Sequence, residues 1–149
     1  APTMGFFKRR ASDPDPAFQT ATLYSGTEWL EVKGEASYQG VLESIAGPKN
    51  PEGYNFLVQA VLVREPDNPY DSSAIAVYAM SPRDATAVKV GHIPRDKAAL
   101  LTPAIERKNA EGRHVALEGY IRGGWLRPGG DEGKYGIWLL YDPADFGLK

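Results

Sequence analysis

The chain has 149 residues, a formal net charge of −2 and no cysteine. Its 42% hydrophobic and 24% charged content is ordinary for one globular domain with a core. The absence of cysteine excludes disulfides, thiol catalysis and zinc ribbons, and it is compatible with the cytoplasmic location that we predict. No apolar run approaches the roughly 18 residues that a membrane span needs.

The two ends of the chain are predicted to lie outside the folded domain. Residues 1–27 lack apolar periodicity, and Asp-Pro-Asp-Pro at residues 13–16 blocks regular structure, so this part is predicted to be a poorly ordered leader. Residues 28–142 form the predicted domain, and residues 143–149 a C-terminal tail.

Six strands are predicted from short apolar or alternating runs between turns rich in Gly and Pro. They lie at residues 29–32, 56–64, 74–80, 87–93, 115–121 and 135–141. A helix is predicted at residues 38–46, and another begins after Pro94. Thr102-Pro103 is predicted to end that helix and to start a third. The pattern predicts a mainly β fold with two or three short helices (α+β), built as a small barrel or sandwich.

Polar side chains are concentrated in the loop that follows the second predicted strand. This loop reads Asp67-Asn68-Pro69-Tyr70-Asp71. Turn chemistry accounts for the first three residues, because Asp and Asn bond their own backbone and Pro fixes φ. It does not account for Tyr70 and Asp71. A stiff polar loop at a strand end is suited to hold a small polar group, and His92 ends another predicted strand about twenty residues later.

Residues 64–77 and 90–94 together resemble the core of the HIRAN domain. The first segment, Arg-Glu-Pro-Asp-Asn-Pro-Tyr-Asp-Ser-Ser-Ala-Ile-Ala-Val, matches the family pattern at nearly every fixed position, and Val-Gly-His-Ile-Pro follows as in the family. The resemblance extends over about residues 28–142. It implies a compact six-stranded, OB-like antiparallel barrel, and a non-catalytic module found beside DNA-remodelling and repair helicases.

The resemblance also implies a site for the 3′-terminal nucleotide of single-stranded DNA. Asp71 would accept a hydrogen bond from the 3′-hydroxyl and repel a terminal phosphate, while Tyr70 contacts the terminal base and Asn68 holds the loop. His92 and Arg95 resemble the pair that meets the backbone phosphate. Two further aromatic positions fall beside the pocket, namely Tyr38 and Tyr135.

One departure from the family concerns the segment before the first helix. Relatives from eukaryotes have a basic residue and two adjacent aromatic residues where this chain has Ala36-Ser37-Tyr38. Stacking of a base on an aromatic ring contributes about 1–3 kcal/mol, so the sequence predicts weaker binding or a different ligand. A helicase or nuclease acting on the same DNA is the expected protein partner.

Neither a metal nor another cofactor is predicted, because His92 and His114 are distant in sequence and no acidic cluster has ligand spacing.

Two other functions stay open. A protein- or peptide-interaction domain on the same barrel suits the acidic balance, and a nuclease or phosphatase would use Asp67, Asp71 and His92. The glycine-rich loop at residues 123–133 allows two interpretations. The large or basic side chains around it could bind single-stranded DNA by stacking and charge, or Trp138 could belong to the core with Trp125 as a lid over it. These side chains are Trp125, Arg127, Lys134 and Trp138.

Overall fold

The computed structural model describes residues 21–81 and 84–148, and within these ranges it has seven strands, two α-helices and two short 3-10 helices. The strands are β1 (Ala21–Tyr24), β2 (Glu28–Glu31), β3 (Tyr54–Arg64), β4 (Ile75–Ser81), β5 (Asp84–His92), β6 (His114–Gly123) and β7 (Gly136–Tyr141). The helices are α1 (Gln39–Ala46), α2 (Arg95–Ala110) and the 3-10 helices Glu35–Tyr38 and Pro143–Phe146. The mainly β fold with short helices is therefore confirmed.

All seven strands belong to one sheet, in the order β2-β7-β6-β3-β4-β5, with β1 added beside β6. Strand β6 is the centre of this arrangement. One edge pairs antiparallel with β3. The other edge pairs in parallel with β1 over its first residues and antiparallel with β7 over its last ones. Every pairing except that of β1 is antiparallel.

The two ends of the sheet meet at one isolated bridge among the described residues, between Lys33 and His92. Lys33 N–H donates to the His92 carbonyl at 2.8 Å, and His92 N–H donates to the Lys33 carbonyl at 2.9 Å. Gly91 permits this approach, because its φ is +152° and a Cβ there would lie 2.4 Å from the Lys33 oxygen. The predicted closed, six-stranded barrel is not confirmed: seven strands form an open sheet whose ends touch at this bridge.

The core lies on the inner face of the sheet, where alternate strand residues meet the two α-helices. Helix α1 contributes Leu42 and Ile45, and α2 contributes Leu101 and Ile105. Fully burying such a side chain stabilises the fold by about 1.5–3 kcal/mol. The strands supply buried residues with a period of two, among them Val58, Ala60 and Leu62 of β3, Ile75, Val77 and Ala79 of β4, and Val115 and Leu117 of β6.

The folded part extends past both predicted domain boundaries. Residues 21–24 form a strand, although the sequence predicts a leader there, because β6 supplies the hydrogen-bond partners that local pattern cannot show. Residues 1–20 lie outside the described residues. At the other end Phe146 is 3% exposed and packs against Tyr24 and Tyr141, with ring centroids 5.7 and 6.2 Å apart, so residues 143–146 are not a free tail.

Helix α2 continues through Pro103, where the sequence predicts a break. The proline removes one backbone donor and introduces a ring that crowds the preceding turn. Thr102 Oγ1 donates to the Ala98 carbonyl at 2.8 Å in that turn, and Leu101 and Ile105 are buried on either side of the proline. Burial of the apolar face thus outweighs the local preference to stop. Neither α-helix of the described chain is long and apolar enough to cross a membrane.

Candidate nucleic-acid interface

The loop between β3 and β4, residues 65–74 (the motif loop), is held in one conformation by Asn68. The Asn68 Oδ1 atom accepts from the backbone N–H of Tyr70 at 2.9 Å and of Asp71 at 3.1 Å. Its Nδ2 atom donates to Glu65 Oε1 at 3.1 Å. Further along, Asp71 Oδ1 accepts from the Ser73 N–H at 2.9 Å. These side-chain bonds to the loop's own backbone make it rigid, as the turn chemistry predicts.

Glu65 joins the motif loop to strand β5. Lys89 Nζ donates to Glu65 Oε2 at 2.7 Å, and His92 Nε2 lies 2.8 Å from Glu65 Oε1. Burial alone would raise the pKa of Glu65. The hydrogen bonds from Lys89, His92 and Asn68 outweigh it and lower that pKa to about 2. Glu65 is therefore an ionised anchor of the loop at neutral pH.

Arg95, the first residue of α2, contacts the second half of the motif loop. Its Nε donates to Asp71 Oδ2 at 3.3 Å, and its Nη2 donates to the Tyr70 carbonyl at 2.8 Å. The Arg95 side chain stays 75% exposed, and the Tyr70 residue is 87% exposed. A carboxylate, a guanidinium and a free aromatic ring thus lie together at the surface.

A cavity of about 440 Å³ lies at the first half of the motif loop, next to Lys89. It is lined by Arg64, Glu65, Pro66, Asp67, Asn68, Pro69 and Lys89. Its volume is in the range of pockets that hold small ligands. The motif loop, this cavity and the side chains of Lys89, His92 and Arg95 are called the loop site below.

Comparison with known protein families places this geometry in context. The family model named HIRAN domain matches residues 37–122, which include the whole loop site. The chain belongs to the HIRAN domain family. Domains of this family are generally DNA-binding and generally non-catalytic. A similar solved structure is that of the HIRAN domain of human HLTF, with 21% identity over 83% of each chain and a TM-score of 0.38. A comparison with the curated proteins gave no match.

Five of the seven predicted site residues of this HIRAN domain come together, and Tyr38 ends the 3-10 helix that contacts β5. Those five are Asn68, Tyr70, Asp71, His92 and Arg95. Burial alone would lower the pKa of Lys89, but the hydrogen bond to Glu65 outweighs it and the pKa is raised. Tyr38 contributes to the same rise.

Tyr135 is not part of the assembled loop site. The residue is 2% exposed, and its hydroxyl donates to the Gly47 carbonyl at 2.6 Å. The ring is stacked on that of Tyr54, with centroids 6.1 Å apart. Tyr54 is the first residue of β3, whereas the motif loop follows the last one, Arg64. Tyr135 therefore lies apart from the loop site and lines a second cavity instead, and its role beside a DNA pocket stays a prediction.

The sequence analysis did not assign Glu65 and Lys89 to the site. Two signals for them are present in the sequence. Glu65 lies inside the family motif, and Lys89 is the one charged residue in the apolar segment Ala87-Val88-Lys89-Val90. Their pairing across the loop needs the register of β4 and β5 and could not be read from spacing. Within residues 21–81 and 84–148, no three His, Cys, Asp or Glu side chains gather at a position that would hold a metal ion.

Proposed function

We propose that this HIRAN domain binds single-stranded DNA at a 3′-hydroxyl end and has no catalytic activity. In this proposal it directs a helicase or nuclease to damaged or stalled DNA in the cytoplasm. The observation that carries the proposal is the fixed position of the Asp71 carboxylate beside the exposed ring of Tyr70 and the guanidinium of Arg95.

The chemistry of Asp71 favours a hydroxyl over a phosphate. Its two oxygens each accept one hydrogen bond, from Ser73 N–H and from Arg95 Nε. A carboxylate has about four acceptor positions, so it can accept a further hydroxyl proton. A terminal phosphate would bring a second anion to the same place and would be repelled. The geometry therefore supports discrimination between the two kinds of end.

Arg95 is the cation best placed to meet a phosphate. Lys89 and His92 already bond to Glu65. Lys89 therefore acts by holding the loop. His92 would contact a ligand through Nδ1, because Nε2 faces Glu65. Because the net charge is −2, the attraction of DNA phosphates comes from a few local cations and not from a broad cationic face. Small side chains at Ala36 and Ser37 remove a stacking surface, which favours modest affinity.

The test compares fluorescence anisotropy of short labelled strands ending in a 3′-hydroxyl or a 3′-phosphate, at low salt. Hydrogen bonds to charged groups contribute about 1.5–3 kcal/mol, so the hydroxyl end should bind about tenfold tighter or more. Asp71→Asn keeps the acceptor for Ser73 N–H and removes the charge, and it should abolish the preference. Glu52→Gln is the matched control, since Glu52 is exposed in the turn before β3, at the other end of that strand from the motif loop. Equal binding of both ends by the wild type would refute the proposal.

A second candidate function, binding of a protein or peptide, is favoured by an apolar groove on the outer face of the sheet. The groove has a volume of about 530 Å³, and Leu23, Leu57 and Met80 line it together with Glu118. Leu23 and Leu57 are 54% and 51% exposed. Exposed apolar side chains on a groove are typical of interaction surfaces. Leu57→Asp should weaken capture of such a partner while leaving binding of DNA ends unchanged.

A further inference from the structure

A second cavity, of about 400 Å³, lies beside the 3-10 helix Glu35–Tyr38. The end of β6, the glycine-rich loop and the start of β7 form its other walls. The residues that matter below are Glu35, Arg122, Trp125, Lys134, Gly136 and Trp138. This cavity contains three of the four side chains whose role the sequence left open, and the loop site does not use them.

Trp125 and Trp138 give the cavity aromatic walls. The Trp125 ring is fixed, because Nε1 donates to Asp131 Oδ1 at 3.1 Å and Gly133 packs against it so closely that a Cβ there would lie 2.4 Å from the ring. Both tryptophans are half-buried. A rigid, partly exposed indole is a suitable surface for a flat heterocycle, which on Trp125 would share the ring with Arg127, whose guanidinium carbon lies 5.3 Å from the ring centroid.

A hydrogen-bond acceptor and a donor both lie near Gly136. A Cβ built on this glycine would lie 3.8 Å from Glu35 Oε2 and 4.0 Å from Trp138 Nε1. The absence of that Cβ leaves the space between the two polar atoms open. Trp138 Nε1 carries an N–H that donates, whereas a carboxylate oxygen accepts.

Glu35 has an unused acceptor in this cavity. Its Oε2 atom is buried and has no hydrogen-bond partner in the structure as described. Burial raises the pKa of Glu35 and the neighbouring charge of Glu31 adds to the rise, while backbone hydrogen bonds from Glu35 and Ile137 to the carboxyl group oppose it. A buried acceptor without a donor is destabilising. A ligand N–H group, reached by a small rotation of this half-buried side chain, would satisfy it.

Lys134 supplies a cation at the rim. Its side chain is exposed and forms no ion pair in the part of the chain that the structure describes. Arg122, by contrast, donates to Asn55 Oδ1 at 3.2 Å and lies over the Trp29 ring at 4.2 Å. The cavity thus offers a flat aromatic wall, one carboxylate acceptor, one indole donor and one free ammonium group.

We propose that this cavity binds a guanine base. Guanine presents two adjacent donors, N1–H and the 2-amino group, next to the O6 acceptor. The Glu35 carboxylate would accept from both donors, and Lys134 or Trp138 would donate to O6 while an indole stacks on the ring. Thymine presents one N–H between two acceptors, and adenine and cytosine each present one amino group beside an acceptor. Guanine fits this set of groups best.

The inference rests on the proposed function in one respect: the guanine belongs to the strand whose 3′ end the loop site holds. Glu35 and Ala36 line the guanine cavity, and the 3-10 helix to which they belong contacts strand β5, which carries Lys89 and His92 of the loop site. The guanine would therefore lie within the first few nucleotides from the 3′ end.

The first experiment tests the cavity without any DNA end. The probes are guanosine, inosine, adenosine and thymidine 5′-monophosphates, titrated against tryptophan fluorescence of a Trp29→Phe variant, in which Trp125 and Trp138 remain. The guanosine nucleotide should bind about tenfold tighter than the inosine nucleotide, which lacks the 2-amino group. Equal affinity for these two would overturn the proposal.

Two variants separate recognition by Glu35 from a general charge effect. Glu35→Gln and Glu31→Gln remove the same charge from the same cavity, so both should bind the adenosine and thymidine nucleotides, which do not use the carboxylate, slightly better. Only Glu35→Gln should lose the preference for guanosine over inosine monophosphate. If both variants keep that preference, Glu35 does not read the base and the proposal is wrong.

The second experiment moves a single guanine through positions 2 to 5 from the 3′ end of an oligothymidine strand. One position should give tighter binding, and inosine at that position should remove the gain. No gain at any position, with preference for a 3′-hydroxyl retained, would refute the guanine site and leave the proposed function standing. Tighter binding with guanine at one position, but without preference for a 3′-hydroxyl, would refute the proposed recognition of the 3′ end and support the guanine site.

Discussion

Arg95 and Asp71 meet where helix α2 and the motif loop approach each other, with Arg95 Nε 3.3 Å from Asp71 Oδ2. Arg95 also holds the Tyr70 carbonyl through Nη2, so it connects two neighbouring loop residues. In the proposed function the acceptor for the 3′-hydroxyl and the cation for the phosphate are therefore one connected unit. Changes to Arg95 should affect affinity and loop geometry together.

Arg95→Ala should weaken binding of single-stranded DNA at low salt by removing one phosphate contact. The slope of log K against log salt should become shallower by about 0.7, which is the value for one cation on a single strand. Anisotropy titrations at several salt concentrations measure both quantities. Arg107→Ala is the matched control, because Arg107 is exposed near the other end of the same helix. An unchanged slope for Arg95→Ala would contradict a phosphate contact.

Glu65→Gln should lower the free energy of unfolding at pH 7 by about 1–3 kcal/mol, because Lys89 and His92 lose their anionic partner. The Glu65 side chain is 24% exposed, so solvent screening keeps the loss below the full value of its pKa shift. Urea unfolding measures it. Asp67→Asn, in the same loop but exposed, should change the unfolding free energy by less than about 0.5 kcal/mol.

The same Glu65 variant has a defined pH dependence. The pKa of Glu65 falls from its ordinary value of 4.5 to about 2 in the folded state, so its stabilisation is present above pH 4.5 and is lost as pH falls towards 2. Lys89 has a raised pKa, so its contribution is present below its ordinary pKa and is lost as pH rises above it. The difference between wild type and Glu65→Gln should therefore shrink from pH 4.5 to pH 2. A constant difference over that window would argue against the network.

Gly91→Ala should be strongly destabilising, by about 2 kcal/mol or more. The new Cβ would lie 2.4 Å from the Lys33 oxygen and 2.6 Å from Val32 Cγ1, and φ of +152° is unfavourable for alanine. Gly40→Ala in helix α1 is the opposite case, since a Cβ there meets nothing within 4 Å. That variant should stabilise the fold by about 0.5–1 kcal/mol. Thermal and urea unfolding would show whether the two changes have opposite signs.

Pro103→Ala should stabilise the chain by about 1–2 kcal/mol. Alanine restores a backbone N–H in the interior of α2 and removes the ring that crowds the preceding turn. The gain is smaller than the full difference in helix propensity, because alanine also increases the freedom of the unfolded chain. A loss of stability would mean that the helix depends on the proline in a way that these contacts do not show.

The motif loop was predictable because its conformation is local. Asn68 and Asp71 bond backbone groups two or three residues away, and Pro69 fixes its own φ, so residue types and spacing contain the information. The strands were predictable for a similar reason, since burial on one face of a strand imposes a period of two. The family resemblance added the site residues, and Arg95 and His92 do lie beside the loop.

Contacts between distant parts of the chain were decided by the tertiary structure. Strand β1 exists because β6 supplies its partners, and α2 passes Pro103 because the core buries the turns on both sides. Tyr135 is core, although its type and position in sequence fit a stacking ring equally well. The pairing of Glu65 with Lys89 depends on strand register, and the position of Glu35 and Trp138 near Gly136 depends on how the 3-10 helix packs on the sheet. Sequence determined the local geometry, whose energy comes from near neighbours, and the fold alone determined which distant side chains share a cavity.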